Sequence, residues 1–478
     1  MAKYEKFPDD SSLERLRRYS SYEKLLIGEH YSSYIKQMGD TFSEKYQYLR
    51  YITCNFAGLL SKVISDVLFG EKVSIEGNDK EQGFIDSLIK ENQLYVQLYE
   101  SSLMNSARGD ALLRIGARDS NIYIQDINPA MYYPVIGDNY REAPKEAIIA
   151  HKREVGNDTY LIKENYVIGS IFTTIHLMKD STAQEIVKNI SVKEYNELTG
   201  ENLEEVVLTG IDEIPLVHVP NFRLNNNFWG TSDYHDLESL FFAVNNRITK
   251  TDNILDKHSD PILAVPEGVL DEDGNVQKSS LGMVEVRGGE GKPEYIVWNA
   301  NLESAFAEID KLIEMIFLFG EVSPDVVGID KGRTGAESGR ALKLRMLRTL
   351  AKKNRKALYY EQAIKSAIRI ASKFANTGMK SNGVAYKGQP IDALVTFADG
   401  VIDDKVEDIQ NQSLLYQSGL TTQMRAVKSI HDLEDVEAEE LVEEIKEEKK
   451  SGADFNSDEI FYLKQNELQA GNKEGVAV

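Results

Sequence analysis

Hydrophobic residues change their spacing several times along the chain, and each spacing predicts a type of element. In residues 1–70 apolar side chains recur at steps of three and four, which predicts helices. Ser11 followed three residues later by Glu14 fits a capping box that starts the first helix. A second periodic run covers residues 43–69, and residues 84–107 return to the helical spacing. The amino-terminal part is therefore predicted to be mainly helical.

Between residues 111 and 219 the apolar residues occur in short runs separated by turn residues, which predicts β-strands. The predicted strands cover residues 111–115, 122–127, 147–153, 159–163, 171–177 and 216–219. Together with the helices before them, these strands predict an α+β body.

Two amphipathic helices are predicted next, with a small β insertion between them. The first begins near Ser232 or Asp233, either of which can cap it, and ends near residue 258; the second covers residues 301–319. Their apolar stripes contain Leu237, Leu240, Phe241, Val244, Ile248, Ile309, Ile313 and Ile316. The two stripes are too long for one chain to bury, so we expect a neighbouring copy to cover them.

Residues 320–337 hold four glycines and one proline, which predicts a loop. The longest helix follows over residues 338–374 and would be about 55 Å long. Its apolar stripe contains Leu347, Leu350, Leu358, Ile364, Ile368 and Ala371. A short strand at 391–397, an acidic helical region and a polar tail from residue 451 complete the chain.

Charge is distributed unevenly over an acidic chain. The 478 residues carry a formal charge of −22, which disfavours tight DNA binding over the whole surface. Residues 331–373 nevertheless contain 13 Lys and Arg residues against 2 Asp and Glu residues. Two interpretations of this basic helix remain open: a solvated amphipathic helix, or a helix that lies close to nucleic acid.

No segment carries a recognisable catalytic or metal-binding signature. The glycine-rich residues 328–339 lack the Gly-Lys-Ser/Thr of a phosphate-binding loop, so a mobile loop is the preferred interpretation. Residues 271–275 are too short for a calcium loop and are interpreted as a turn. The seven histidines are scattered, and Cys54 is the single cysteine. We therefore expect no enzyme activity, no cofactor, no metal and no membrane span.

The order of the predicted elements resembles that of the portal proteins of tailed bacteriophages, of the long-tailed-phage type. The resemblance covers roughly residues 20–448. Local segments that are similar to the family occur at residues 69–75, 122–134, 214–221, 338–343 and 435–439. Another phage structural or minor head protein, or a soluble enzyme whose site cannot be recognised, remains as an alternative.

The resemblance implies a portal-type subunit with an α+β wing, a two-helix stem, a small β clip, a tunnel loop and a helical crown. The implied boundaries are 1–231 for the wing, 232–258 for stem helix 1, 259–300 for the clip, 301–319 for stem helix 2, 320–337 for the tunnel loop, 338–399 for the long helix and return strand of the wing, and 400–478 for the crown and tail. The tunnel-loop residues that would face DNA are Gly328, Asp330, Lys331, Gly332, Arg333, Thr334 and Gly335.

The resemblance also implies partners and a location. The chain would form a ring of about twelve copies around non-specifically bound double-stranded DNA. Its other partners would be the terminase motor, the head–tail connector or adaptor, and the major capsid or scaffolding protein. The ring would be assembled in the cytoplasm of the bacterial host and would remain in the virion, where it serves genome packaging and ejection.

Overall fold

The computed structural model of the chain describes residues 6–32, 51–137, 139, 142–181, 184–224, 227–259, 262–266, 283–286, 294–296, 302–328, 339–398, 405–431 and 435–450. The chain divides into two compact units. The first contains residues 1–333 and 345–400, and the second contains residues 334–344 and 401–478.

Among the described residues, four helices precede the main sheets. They are α1 (Asp10–Leu26), α2 (Phe56–Phe69), α3 (Asp79–Glu91) and α4 (Leu94–Arg108). The predicted cap at Ser11 is wrong, because the Asp9 carboxylate accepts the hydrogen bond of the Ser12 backbone at 3.1 Å and starts α1. The single helix predicted over residues 84–107 is two helices, because Gln93 has a φ of 46° and interrupts the helical backbone.

The described strands between residues 110 and 220 form one three-stranded and one six-stranded antiparallel sheet. The first has the order β10-β2-β3, built from β2 (Asp110–Arg118), β3 (Asn121–Ile127) and β10 (Leu216–Pro220). The second has the order β4-β5-β6-β7-β8, with β9 also paired to β7. Its strands are β4 (Tyr132–Pro134), β5 (Glu146–Val155), β6 (Asp158–Val167), β7 (Ser170–Met178), β8 (Ile186–Ile190) and β9 (Val206–Leu208), with helix α5 (Val192–Thr199) between the last two. All six strands predicted between residues 111 and 219 are confirmed.

Two paired helices and a short sheet follow. Helix α6 (Glu238–Ser259) begins after turns at 233–237, so the predicted cap at Ser232 or Asp233 is wrong. Helix α7 (Leu302–Phe319) is followed directly by Gly320. Between them, β12 (Met283–Val286) runs parallel to β11 (Ile262–Pro266), and β13 (Glu294–Ile296) runs antiparallel to it. The predicted helix–strands–helix order is confirmed.

The long helix α8 (Gly339–Asn376) is also confirmed, and β14 (Leu394–Thr396) returns after it to pair with β1 (Ser74–Glu76). In the second unit the described helices are α9 (Lys405–Gln417), α10 (Gln423–His431) and α11 (Asp435–Lys450).

Two large hydrophobic cores hold the first unit together. The first core packs the carboxyl-terminal half of α8 against α3, α4 and the strands β2 and β3, with Ile364, Ile368 and Ala371 buried as predicted. The second core joins α1, α2, α6 and α7. The prediction that Leu347 and Leu358 belong to the buried stripe of α8 is wrong, because these side chains are 63% and 64% exposed.

Candidate functional site

The eight apolar residues predicted on the paired helices all lie in the second core of a single chain. Leu237, Phe241, Val244, Ile309 and Ile316 are buried there, while Leu240, Ile248 and Ile313 are partly buried against them. These side chains therefore do not need a neighbouring copy to leave water. Their contribution to a subunit interface stays a prediction, and this core is what fixes α6 against α7.

A buried ionic cluster connects the start of α6, the end of α7 and the middle of α8. We name it the helix junction and define it as Asp233, Lys352, Lys356 and Asn221. Lys352 Nζ lies 3.2 Å from Asp233 Oδ1, and Lys356 Nζ lies 2.7 Å from Asp233 Oδ2. The three charged side chains are at most 6% exposed. Lys352 also donates to the carbonyl of Gly320 at 2.9 Å, directly after α7.

Polar neighbours satisfy the remaining atoms of the helix junction. Ser106 Oγ donates to Asp233 Oδ2 at 2.6 Å, and Asn221 Nδ2 donates to Asp233 Oδ1 at 3.0 Å. Lys356 donates in turn to Asn221 Oδ1. Because buried charges are costly unless paired and hydrogen-bonded, this arrangement is specific to one relative position of the three helices.

The charges of the helix junction perturb each other's titration. Burial by itself raises the pKa of Asp233, but the adjacent ammonium groups of Lys352 and Lys356 outweigh it and hold that pKa well below its usual value. Burial lowers the pKa of Lys356 to about 8, and the charge of Asp233 only partly opposes this effect. Two ammonium groups therefore share one carboxylate in an environment that is buried from solvent.

Close backbone contact next to the helix junction depends on two glycines. A Cβ on Gly230 would lie 2.0 Å from the carbonyl oxygen of Gly109, and Gly109 itself has a φ of 91°. The carboxylate of Asp110 accepts hydrogen bonds from the Gly230 backbone at 2.7 Å, from Tyr19 Oη at 2.5 Å and from His218 Nε2 at 2.7 Å. The segment that leads into α6 is thus fixed against α1 and the three-stranded sheet.

Other cations of α8 are accessible to solvent. Arg348 and Arg355 both pair with Glu321, which follows α7, and their side chains are 73% and 50% exposed. The basic helix therefore divides its charge: lysines 352, 353 and 356 are buried, and these two arginines are in solvent. The sequence allowed two interpretations of the basic helix, a solvated helix or a helix close to nucleic acid. Both predict exposed lysines, so neither explains these buried lysines, which stabilise the fold.

The predicted tunnel loop is described only at its start. A short 3-10 helix spans Pro324–Val327, and Gly328 ends it with a φ of 72°. Ser323 N donates to Thr349 Oγ1 at 2.8 Å, so the beginning of this loop is attached to α8. Asp330, Lys331, Gly332, Arg333, Thr334 and Gly335, like the turn at 271–275, lie outside the described residues.

The helix junction can position helices, but it has no chemistry of a catalytic centre that we recognise. Within the described part of the chain, no group of three His, Cys, Asp or Glu side chains could hold a metal ion, and no helix is long and apolar enough to cross a membrane. Sequence reasoning missed Lys352 and Lys356 as buried residues. Their spacing of four on the face that also bears Thr349 was the available signal, but the carboxylate partner is distant in sequence.

Comparison with known proteins identifies a family to which this sequence is similar. The sequence model of the family described as "Phage portal protein, SPP1 Gp6-like" matches residues 6–454. Among solved structures, a chain from "Virion of native gene transfer agent (GTA) particle" is similar, with 13% identity, a TM-score of 0.45, and coverage of 78% of this chain and 89% of that one. A search of curated proteins gave no match.

The family match covers nearly the whole chain and defines the class of this protein, a phage portal protein. More particularly, the chain belongs to the SPP1 Gp6-like family of phage portal proteins. The resemblance inferred from the order of elements is confirmed, and so is the α+β fold class.

Proposed function

We propose that this chain is the repeating subunit of a closed ring at one vertex of a phage capsid, through which double-stranded DNA enters during packaging and leaves during ejection. The observation that carries the proposal is the family match over residues 6–454. Within the ring, residues 232–258 and 301–319 form the stem, 259–300 the clip, 320–337 the tunnel loop and 400–478 the crown. Residues 1–231 and 338–399 form the wing.

The charge pattern supports a conduit in preference to a tight DNA binder. A chain with a formal charge of −22 repels phosphates over most of its surface, so DNA can slide past it. Lys331 and Arg333 in the tunnel loop supply weak contacts that are repeated once per subunit. The ring itself hydrolyses no nucleotide in this proposal; the terminase motor drives the DNA.

The contacts of the helix junction support the proposal that the tunnel loop begins at a rigid position. Lys352 and Thr349 hold the backbone at Gly320 and Ser323, so the loop leaves from a fixed point on α8. A conduit requires such a fixed origin, because every copy has to present its loop at the same height in the ring. The clip would face the terminase and then the head–tail connector, while the wing would contact capsid or scaffolding protein.

A gene-inactivation experiment tests the proposal directly. A phage whose copy of this gene carries an early stop codon is expected to assemble capsids that contain no nuclease-protected DNA. Supplying the full chain from a plasmid should restore protected DNA of genome length. Normal amounts of protected DNA without the chain would contradict the proposed function.

A further inference from the structure

An exposed apolar stripe runs along α8 on the side away from the helix junction. We name it the leucine stripe and define it as Leu347, Ala351 and Leu358, all exposed. Steps of four and seven place them on one side of the helix. Arg348 and Arg355 lie beside this stripe, and both share the single carboxylate of Glu321. The leucine stripe is therefore an apolar surface with a basic border.

Helix α7 carries a complementary surface on its exposed side. We name it the acidic ladder and define it as Phe306, Asp310, Glu314 and Leu318, which follow each other at steps of four. Phe306 is 50% and Leu318 is 69% exposed. The acidic ladder thus has apolar ends and two carboxylates between them, of which Glu314 also pairs with Lys311 of the same helix at 3.2 Å.

Within one chain, the leucine stripe and the residues that attach α7 lie on different sides of α8. The end of α7 and the residues after it contact α8 through Lys352 and Thr349. At 3.6 residues per turn, these two residues lie about 140–200° around α8 from Leu347. The leucine stripe therefore faces away from the residues that attach α7 to α8, and none of the described residues buries it.

We propose that the acidic ladder of one copy packs against the leucine stripe of the next copy. This inference rests on the ring of the proposed function and names the surfaces that build it. Two different surfaces that pair between copies form a head-to-tail interface, which closes into a ring when the rotation between copies allows it. The two surfaces also agree in length, at about 18 Å for residues 306–318 and about 17 Å for residues 347–358.

Charge complementarity favours a second copy as the occupant. Among the described residues, the ion pairs of Arg348 and Arg355 both go to Glu321. Asp310 and Glu314 of the neighbouring copy supply negative charge opposite these guanidinium groups. Apolar contact provides the affinity of such an interface, while the charges select the register.

Reversal of charge on each surface tests the inference. Asp310→Arg alone and Arg348→Glu alone are each expected to raise the protein concentration for half-assembly by about tenfold, because like charges then face each other. The chain that carries both substitutions should assemble like the unsubstituted chain, because every interface again pairs opposite charges. Native mass spectrometry over a dilution series gives the readout, and Glu197→Arg on the exposed side of α5 is the matched control.

The outcomes separate this inference from the proposed function. If the unsubstituted chain forms rings and both single variants assemble equally well, the inference is wrong and the ring stands. If the unsubstituted chain forms no ring, the proposed function fails together with the inference.

A crosslinking experiment tests the same interface if the charge-reversal variants fold poorly. Chains with Leu318→Cys and chains with Leu358→Cys, both in a Cys54→Ser background, are mixed during assembly and oxidised. A covalent dimer that needs both chains is expected, whereas rings without this crosslink would overturn the pairing of the two surfaces.

Discussion

At the scale of single residues, Asp233 determines whether the helix junction is stable. Its carboxylate is the counter-charge of two buried ammonium groups and accepts hydrogen bonds from Ser106 and Asn221. Removing water from three charges is costly, and the geometry has to compensate for that cost. The loss of the carboxylate would leave Lys352 and Lys356 buried beside each other without an anion.

Asp233→Asn is therefore expected to lower the free energy of unfolding by about 3–5 kcal/mol, the range found when one partner of a buried pair is removed. Urea unfolding at one fixed protein concentration measures it. Asp212→Asn is the matched control, because Asp212 also pairs with a lysine but is 82% exposed; its loss should cost less than about 1 kcal/mol. Equal losses of unfolding free energy in the two variants would contradict the prediction that the buried ion pairs of the helix junction contribute more than the exposed pair.

Asp126 makes the stability depend on pH. Burial raises its pKa to about 6, although the hydrogen bond from Ser101 and the charge of Arg108 act in the opposite direction. Between about pH 4 and pH 6 the folded state therefore binds more protons than the unfolded state, so the free energy of unfolding falls as pH rises through this window.

Asp126→Asn is expected to raise the free energy of unfolding at pH 7 by an amount on the order of 2 kcal/mol and to flatten its decrease between pH 4 and pH 6. Urea unfolding at several pH values measures both effects. Asp392→Asn, at an exposed position, should change neither. The same pH slope in Asp126→Asn as in the unsubstituted chain would refute the assignment.

At the scale of elements, one helix can serve both folding and assembly through its two sides. On α7, Ile316 is buried in the second core, while Leu318 is 69% exposed. Ile316→Ala is expected to cost about 2–5 kcal/mol of unfolding free energy, because it leaves a cavity. Leu318→Ala should change unfolding by less than about 0.5 kcal/mol and yet weaken ring assembly. Thermal unfolding and native mass spectrometry of the same samples separate the two effects.

The tunnel loop carries a separate prediction about DNA. Lys331→Glu with Arg333→Glu should reduce the length of packaged DNA and leave ring assembly intact, because exposed charges contribute at most about 1 kcal/mol to folding. Twelve-fold repetition, in contrast, places many like charges beside about one phosphate charge per 1.7 Å of DNA. Rings are counted by electron microscopy and DNA length is measured after nuclease treatment. Full-length DNA in normal rings would show that these cations are irrelevant.

Element types were largely predictable from the sequence, and their partners were not. The spacing of apolar residues located α7, α8 and the strands β2 and β3, because the pattern along one element is local. The same spacing placed Leu358 in the core, although its side chain is in solvent, because periodicity shows which residues share a face but not what covers that face. The buried state of Lys352 and Lys356 was unpredictable for a related reason: their partner Asp233 is more than 100 residues away.

At the scale of the whole molecule, the acidic ladder and the leucine stripe are exposed on α7 and α8 among the described residues. The apolar residues of the paired helices that sequence reasoning assigned to the interface are buried or partly buried in the second core. The proposed interface therefore uses the exposed sides of these helices. In the proposed ring, the helix junction and Thr349 would fix the start of the tunnel loop on α8 in every copy.

The mass of the purified full-length chain tests the central claim most directly. Native mass spectrometry and electron microscopy at micromolar concentration are expected to show one closed ring of about twelve copies with an axial channel. The contradicting result would be a particle of 53.9 kDa, the mass of one chain, as the only species at that concentration.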